Sequence, residues 1–192
     1  MTTWQRGSTL VTGKRETAEG PLQGFVDQLS TRRGLLRVPG TGVFLSRGNT
    51  TAPLALRANV KHNHVLHDHV VIVTIDTLSI PRVADSKRLE IDPLGDTHDA
   101  IIHVTARFGY METPDVPRVL RLLEPQKTNA SICIDDASYF LSTIELTKGA
   151  QPTMPAWRRN LFIATSRLST DGAESFRLPQ DRTMIEGSRI EI

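Results

Sequence analysis

Leu22, Phe25, Val26 and Leu29 fall at i, i+3, i+4 and i+7, the spacing of one helical face. Pro21 suits the first turn of such a helix and Gly34 its C-terminal cap, so the pattern predicts a helix over 21–33. The twenty residues before it are polar, rich in Gly, Thr and charge, show no apolar period and read as a linker. Val38-Pro39-Gly40-Thr41-Gly42 reads as a turn that feeds an edge of a sheet, and 43–46 as a short strand ended by Arg47-Gly48-Asn49. Thr51 as cap and Pro53 as opener predict a second helix to about Lys61, with Leu56 and Val60 one turn apart.

Between 65 and 77 the β-branched run is continuous rather than alternating, which predicts a central strand covered on both faces. Alternation over 87–92 turns Leu89 and Ile91 inward. The longer alternation over 100–110 sends Ile102, Val104, Ala106 and Phe108 to one side and His103, Thr105 and Arg107 to the other, predicting a strand with a polar face. Asp115 and Pro117 open a helix that carries Val116, Val119, Leu120 and Leu123. Short strands are expected at 131–134 and 139–142 around an Asp135-Asp136 turn, and a last helix at 155–168 with Trp157, Leu161, Ala164 and Leu168 on one face. Terminal strands are expected at 182–185 and 188–192. Helices and strands alternate irregularly, so the expected fold is α/β: a mixed β-sheet flanked by three to four helices in a single domain, without internal repeats.

Composition narrows the function classes. Hydrophobic residues make up 39% of the chain, and with its 13 glycines it falls inside the usual globular range of roughly 45–50%. A formal net charge of +2 is too balanced for a chain whose main work is gripping nucleic acid. The single cysteine, Cys133, precludes an internal disulfide and fits a reducing, cytosolic compartment. Val70-Val71-Ile72-Val73 is far shorter than the roughly 20 apolar residues of a membrane helix, and the start of the chain lacks the apolar centre of a signal peptide.

Four histidines crowd into Lys61-His62-Asn63-His64-Val65-Leu66-His67-Asp68-His69 and invite a metal reading. Their register is one residue off the His-x-His-x-Asp-His pattern of dinuclear zinc hydrolases. They straddle a helix-to-strand junction besides, so the expected roles are capping the helix and bonding backbone groups, with no metal bound. Gly40-Thr41-Gly42 precedes a strand, whereas a phosphate loop follows one and opens a helix. Cys133, in an expected apolar strand with no base in sight, reads as a small core residue. No Ser/His/Asp or paired-carboxylate spacing stands above chance, so no catalytic residue and no cofactor is assigned.

Several segments, in this order and spacing, resemble the cytosolic C-terminal domain of the Kup (KUP/HAK/KT) family of bacterial potassium uptake transporters. They are Thr3-Trp4-Gln5-Arg6-Gly7, Val38-Pro39-Gly40-Thr41-Gly42-Val43-Phe44-Leu45, Asn59-Val60-Lys61-His62-Asn63-His64-Val65-Leu66-His67-Asp68, Phe108-Gly109-Tyr110-Met111-Glu112-Thr113-Pro114-Asp115-Val116-Pro117, Tyr139-Phe140-Leu141-Ser142 and Glu186-Gly187-Ser188-Arg189-Ile190-Glu191-Ile192. The chain departs from the family at Gly42, His64, Asp68 and Tyr110, where alanine, lysine, glutamate and phenylalanine are usual. The resemblance implies structural roles for Pro39, Gly40, Thr41, Asn59, His62, Asn63, His67, Met111, Glu112, Pro114 and Pro117. It also implies that the chain is a fragment of a potassium:proton symporter at the cell membrane. Its partner is then the transmembrane helical bundle of the same polypeptide, with the ion path and coupling carboxylates lying there.

On that reading residues 1–20 form a membrane-proximal linker and 21–192 a cytosolic regulatory domain, not an enzyme, on the cytoplasmic face. Six basic residues up to Arg37 (Arg6, Lys14, Arg15, Arg32, Arg33, Arg37) against Glu16, Glu19 and Asp27 fit the basic excess after a spanning helix. The domain would modulate transport or assembly, with pairing into a homodimer as one mode. The alternative is a ligand sensor that binds a cyclic dinucleotide or another nucleotide through Lys61, His62 and Arg107.

Overall fold

In the computed structural model, the described residues are 3–32, 34–94, 100–123, 132–147, 155, 157 and 175–191. Six strands form one mixed sheet: β1 (Leu36–Ser46), β2 (Val65–Leu78), β3 (Leu89–Pro93), β4 (Ile101–Gly109), β5 (Ser138–Thr147) and β6 (Thr183–Glu191), in the spatial order β3-β4-β2-β1-β5-β6. All neighbours run parallel except β3, which pairs antiparallel with β4. From β1 the chain steps outward through β2 to β4 on one side, while β5 and β6 lie on the other. The strand order therefore reverses between β1 and β5, the arrangement of a doubly wound sheet.

The helices are α1 (Thr3–Glu19), α2 (Leu22–Thr31), α3 (Leu54–Ala58), which runs on into a π-helical turn at Asn59–Asn63, and α4 (Val116–Leu120). The expected α/β class with a mixed sheet and about four helices is what the chain adopts. Each sheet face supports its own apolar layer. On one, α2 and α3 bring Leu22, Val26, Leu56 and Val60 against Phe44, Val70, Ile72 and Phe140. On the other, α4 covers Val43, Val71, Val73, Val104 and Tyr139. Continuous burial of Val70 to Val73 follows, because β2 sits between β1 and β4 with a layer on both sides.

Several sequence expectations need correction. The first twenty residues include the 17-residue helix α1, which has no apolar stripe to announce it. Val38 to Gly42 is not a turn at a sheet edge; it lies inside β1, an interior strand, where the pairing with β2 shifts register between Val38 and Thr41 and Gly40 takes φ 106°. That shift is a bulge, so the Pro-Gly pair bends the strand without ending it. Thr51 does not cap α3, whose flanking Pro53 makes no side-chain cap. The polar side of β4 is largely enclosed: His103 and Thr105 are buried. Ile132 and Cys133 lie outside the sheet, a turn at Ile134–Ala137 leads into β5, and Cys133 is exposed rather than in the core. The two terminal strands are one, β6, parallel to β5 over its whole length. The helix expected at 155–168 lies outside the described residues apart from 155 and 157.

Candidate functional site

In a doubly wound sheet the crevice at the strand-order reversal is where function usually gathers. Here β1 and β5 pair through Phe44 and Phe140. Beyond that pair stands Ser142 on β5, and β1 gives way to the loop that carries Arg47 to Pro53. The C-terminal end of α1 fills this crevice. Arg15 and Glu19, one turn apart, form a buried ion pair through the arginine Nε, and the second arm of the guanidinium donates to the Ser142 hydroxyl at 3.0 Å. The other carboxylate oxygen of Glu19 accepts from the Thr51 hydroxyl at 2.6 Å. The backbone carbonyl of Glu19 accepts from Arg57 at 2.8 Å, and the Arg57 guanidinium lies over the Phe25 ring, 5.1 Å from its centroid.

Among the described side chains of α1 only Arg15 and Glu19 are buried. The helix is thus held by charge rather than by an apolar face. Arg47, on the same loop as Thr51, has its guanidinium pKa lowered by burial and by the neighbouring Arg15, with Glu19 opposing. One carboxylate therefore balances the guanidinium groups of Arg15 and Arg47, and loss of Glu19 would leave Arg15 buried without its partner. Of these residues the sequence pattern offered only the i, i+4 spacing of Arg15 and Glu19.

A second polar centre lies at the far end of β4. A Cβ at Gly109 would run into the carbonyl of Pro81, so only glycine admits this crossing. The closeness lets Glu112 accept the backbone N–H groups of Gly109 at 2.7 Å and Val83 at 3.1 Å, while Arg88 donates to it at 2.8 Å. Arg88, itself buried, also donates to the carbonyl oxygens of Val83 and Arg107 and to Asp85, and lies over the Phe108 ring. The Arg88 guanidinium, followed by the two N–H groups, holds the Glu112 carboxyl down to about 2. Beyond Glu112, Asp115 caps α4 by accepting the Arg118 N–H at 3.0 Å, with a proline in the first turn.

The motif residues named from sequence divide between these regions. Gly40 forms the β1 bulge and Thr41 follows it, paired in register with His69. The Thr41 hydroxyl is buried without a hydrogen-bond partner. Asn59 accepts from Asn63 at 2.9 Å across the π-helical turn, which His64 ends in the left-handed conformation. His67 meets Phe44 and Phe140 edge-on, and its ring fits only because Gly42 has no side chain: a Cβ there would lie 2.7 Å from Nδ1. Burial pushes the His67 pKa down, against the pull of Asp68. His103 is lowered by burial too, with Asp92 and Glu90 opposing, and its Nε2 bonds the Thr74 hydroxyl at 2.9 Å. Met111 is exposed, and Pro114 and Pro117 flank the Asp115 cap. Among the described residues no three His, Cys, Asp or Glu side chains converge as a metal site.

Lys61 and His62 are exposed at the turn before β2, whereas Arg107 pairs with Glu90 and stands level with Asp76 near the end of β2. Eleven residues of β2, on the order of 35 Å, separate the two levels, so these three residues do not meet.

The family described as K+ potassium transporter C-terminal domain matches residues 39–192. A probable potassium transport system protein Kup of Rhodococcus jostii (strain RHA1) is 61% identical over 193 residues, covering all of this chain and 29% of that protein. Kup 3 of Bradyrhizobium sp. (strain BTAi1) is 39% identical, again over the whole chain and 29% of its own length. A Kup sequence of Rhizobium tropici is 37% identical over the whole chain, which covers 89% of it. The chain thus spans under a third of the length of the first two. No solved structure matches. With a match over residues 39–192 and relatives this similar from end to end, the chain belongs to the K+ potassium transporter C-terminal domain family.

Proposed function

We propose that this chain is the cytoplasmic C-terminal domain of a potassium:proton symporter of the Kup type, and that it modulates low-affinity uptake or assembly without lining the ion path and without catalysing a reaction. The observation that carries this reading is the 61% identity along the whole chain to a Kup protein of which it covers only 29%. The spanning helices, ion path and coupling carboxylates belong to the remaining length. Residues 1–20 then form the membrane-proximal segment and 21–192 the regulatory domain. In support, no helix among the described residues is long and apolar enough to cross a membrane. The clamp of Arg15 and Glu19 adds a route for coupling, because α1 cannot shift without drawing on the loop after β1 and on β5. The ligand-sensing alternative finds no support in the wide separation of Lys61 and His62 from Arg107.

Deleting everything after Gly7 from the full transporter, with insertion checked, tests the proposal. Coupling between such parts is typically worth about 1–3 kcal/mol, so uptake or its regulation should change severalfold while the preference for potassium over sodium stays intact. A correctly inserted, truncated transporter that lost its ion preference would put the domain in the pore and sink the reading.

A further inference from the structure

Three large apolar side chains lie exposed at one end of the sheet: Ile80 at 47%, Tyr110 at 61% and Met111 at 65%. The backbone makes them neighbours. The Tyr110 N–H donates to the Ile80 carbonyl at 3.0 Å and the Met111 N–H to the Pro81 carbonyl at 3.2 Å, across the crossing that only Gly109 permits. Behind them Glu112 ties Arg88 to the Gly109 and Val83 N–H groups, so the tip is held outward by bonded structure.

Charge around this tip is uneven. Arg82 and Lys87 are exposed and form no ion pair among the described residues. The nearby carboxylates are engaged, Asp85 and Glu112 by Arg88 and Glu90 by Arg107, while Asp76 on β2 stands level with Arg107. Apolar side chains and a tyrosine rimmed by unpaired cations complement an anionic bilayer surface, where the ring sits at headgroup depth and the cations meet phosphate. A purely apolar protein surface would leave both cations without partners. The place in the fold agrees. Thr74 donates to the Gly48 carbonyl in the loop that grips α1, and Leu78, beside Gly109, lies four residues further along β2, on the order of 13 Å. The tip therefore stands at the same end of the sheet as the attachment of α1.

We propose that Ile80, Tyr110 and Met111 insert into the headgroup region of an anionic bilayer, with Arg82 and Lys87 set against lipid phosphates. This rests on the reading of the chain as a domain tethered to a membrane bundle. Three side chains hold a bilayer weakly by themselves, but a tether keeps the surface at high effective concentration.

The test uses the 192-residue chain with a polyhistidine tag ahead of Met1, held on phosphatidylglycerol vesicles by nickel-chelating lipid. With Cys133 replaced by serine, a fluorophore on Met111→Cys should be quenched by doxyl-labelled lipid, and one on Leu36→Cys, at the opposite end of the sheet, should not. Each basic residue beside an anionic surface is worth roughly fivefold in binding, so Arg82→Glu with Lys87→Glu should weaken insertion at least about twentyfold and take the quenching at 111 to background, with the circular dichroism unchanged. No quenching at 111, equal quenching at 36, or quenching indifferent to the charge reversal would overturn the proposal. So would a label at 111 in the full, reconstituted transporter that is shielded from water yet not quenched, since a protein surface would then cover the tip. The deletion after Gly7 reads ion preference and this experiment reads depth in the bilayer, so either reading can fail alone.

Discussion

Glu112 shows how much of this domain hangs on single polar side chains. Its carboxyl is held down from 4.5 to about 2 by Arg88 and two backbone N–H groups. The folded state therefore binds fewer protons than the unfolded chain in that range. The stabilisation is fully present above about pH 4.5 and is lost as pH falls toward 2. Glu112→Gln should lower stability near neutral pH and flatten its acid dependence, so that the two proteins converge near pH 2 in urea titrations; an unchanged acid limb would refute the assignment. Asp115→Ala removes the cap of α4 and should cost about 0.5–2 kcal/mol, read as a lower melting temperature. The cap was legible because an aspartate followed by a proline-opened apolar run carries its meaning locally. The role of Glu112 was not, since Arg88 lies 24 positions earlier in the chain and reaches it only through the crossing at Gly109 and Pro81.

Elements with their own periodicity were legible for the same reason. The run of β-branched residues marked β2 as central, and the apolar spacing of 22, 25, 26 and 29 marked α2. The first half of β1 was hidden by Pro39 and Gly40, residues that end most strands but here form a bulge. Whether two stretches near the end were one strand or two, and which neighbour they joined, depends on parallel pairing with β5, which no local pattern encodes. Nothing apolar marked α1, because its attachment is polar: the paired Arg15 and Glu19 bond Ser142, Thr51 and Arg57 on other elements. Glu19→Ala should cost about 3–5 kcal/mol in denaturant titration, since it strands a buried guanidinium. Replacing both residues, Arg15→Met with Glu19→Leu, should recover most of the loss. If the double variant were no better than the single, the loss would not come from the stranded guanidinium.

At the scale of the molecule, two apolar layers on one sheet explain why composition and pattern together reached the α/β class. The site at the strand-order reversal stayed out of sight because it joins side chains from α1, the loop after β1, α3 and β5, which only the finished fold assembles. That fold also fixes a mechanical fact. From Glu19 back to Thr3, α1 extends about 24 Å, and among its described side chains the buried ones, Arg15 and Glu19, lie within its last turn and a half. It is a lever with its fulcrum in the sheet: a rotation of about 10° at the fulcrum moves the far tip by about 4 Å. Angular play too small to disturb the hydrogen bonds around Glu19 thus becomes, at the other end of the helix, a displacement approaching one helical turn.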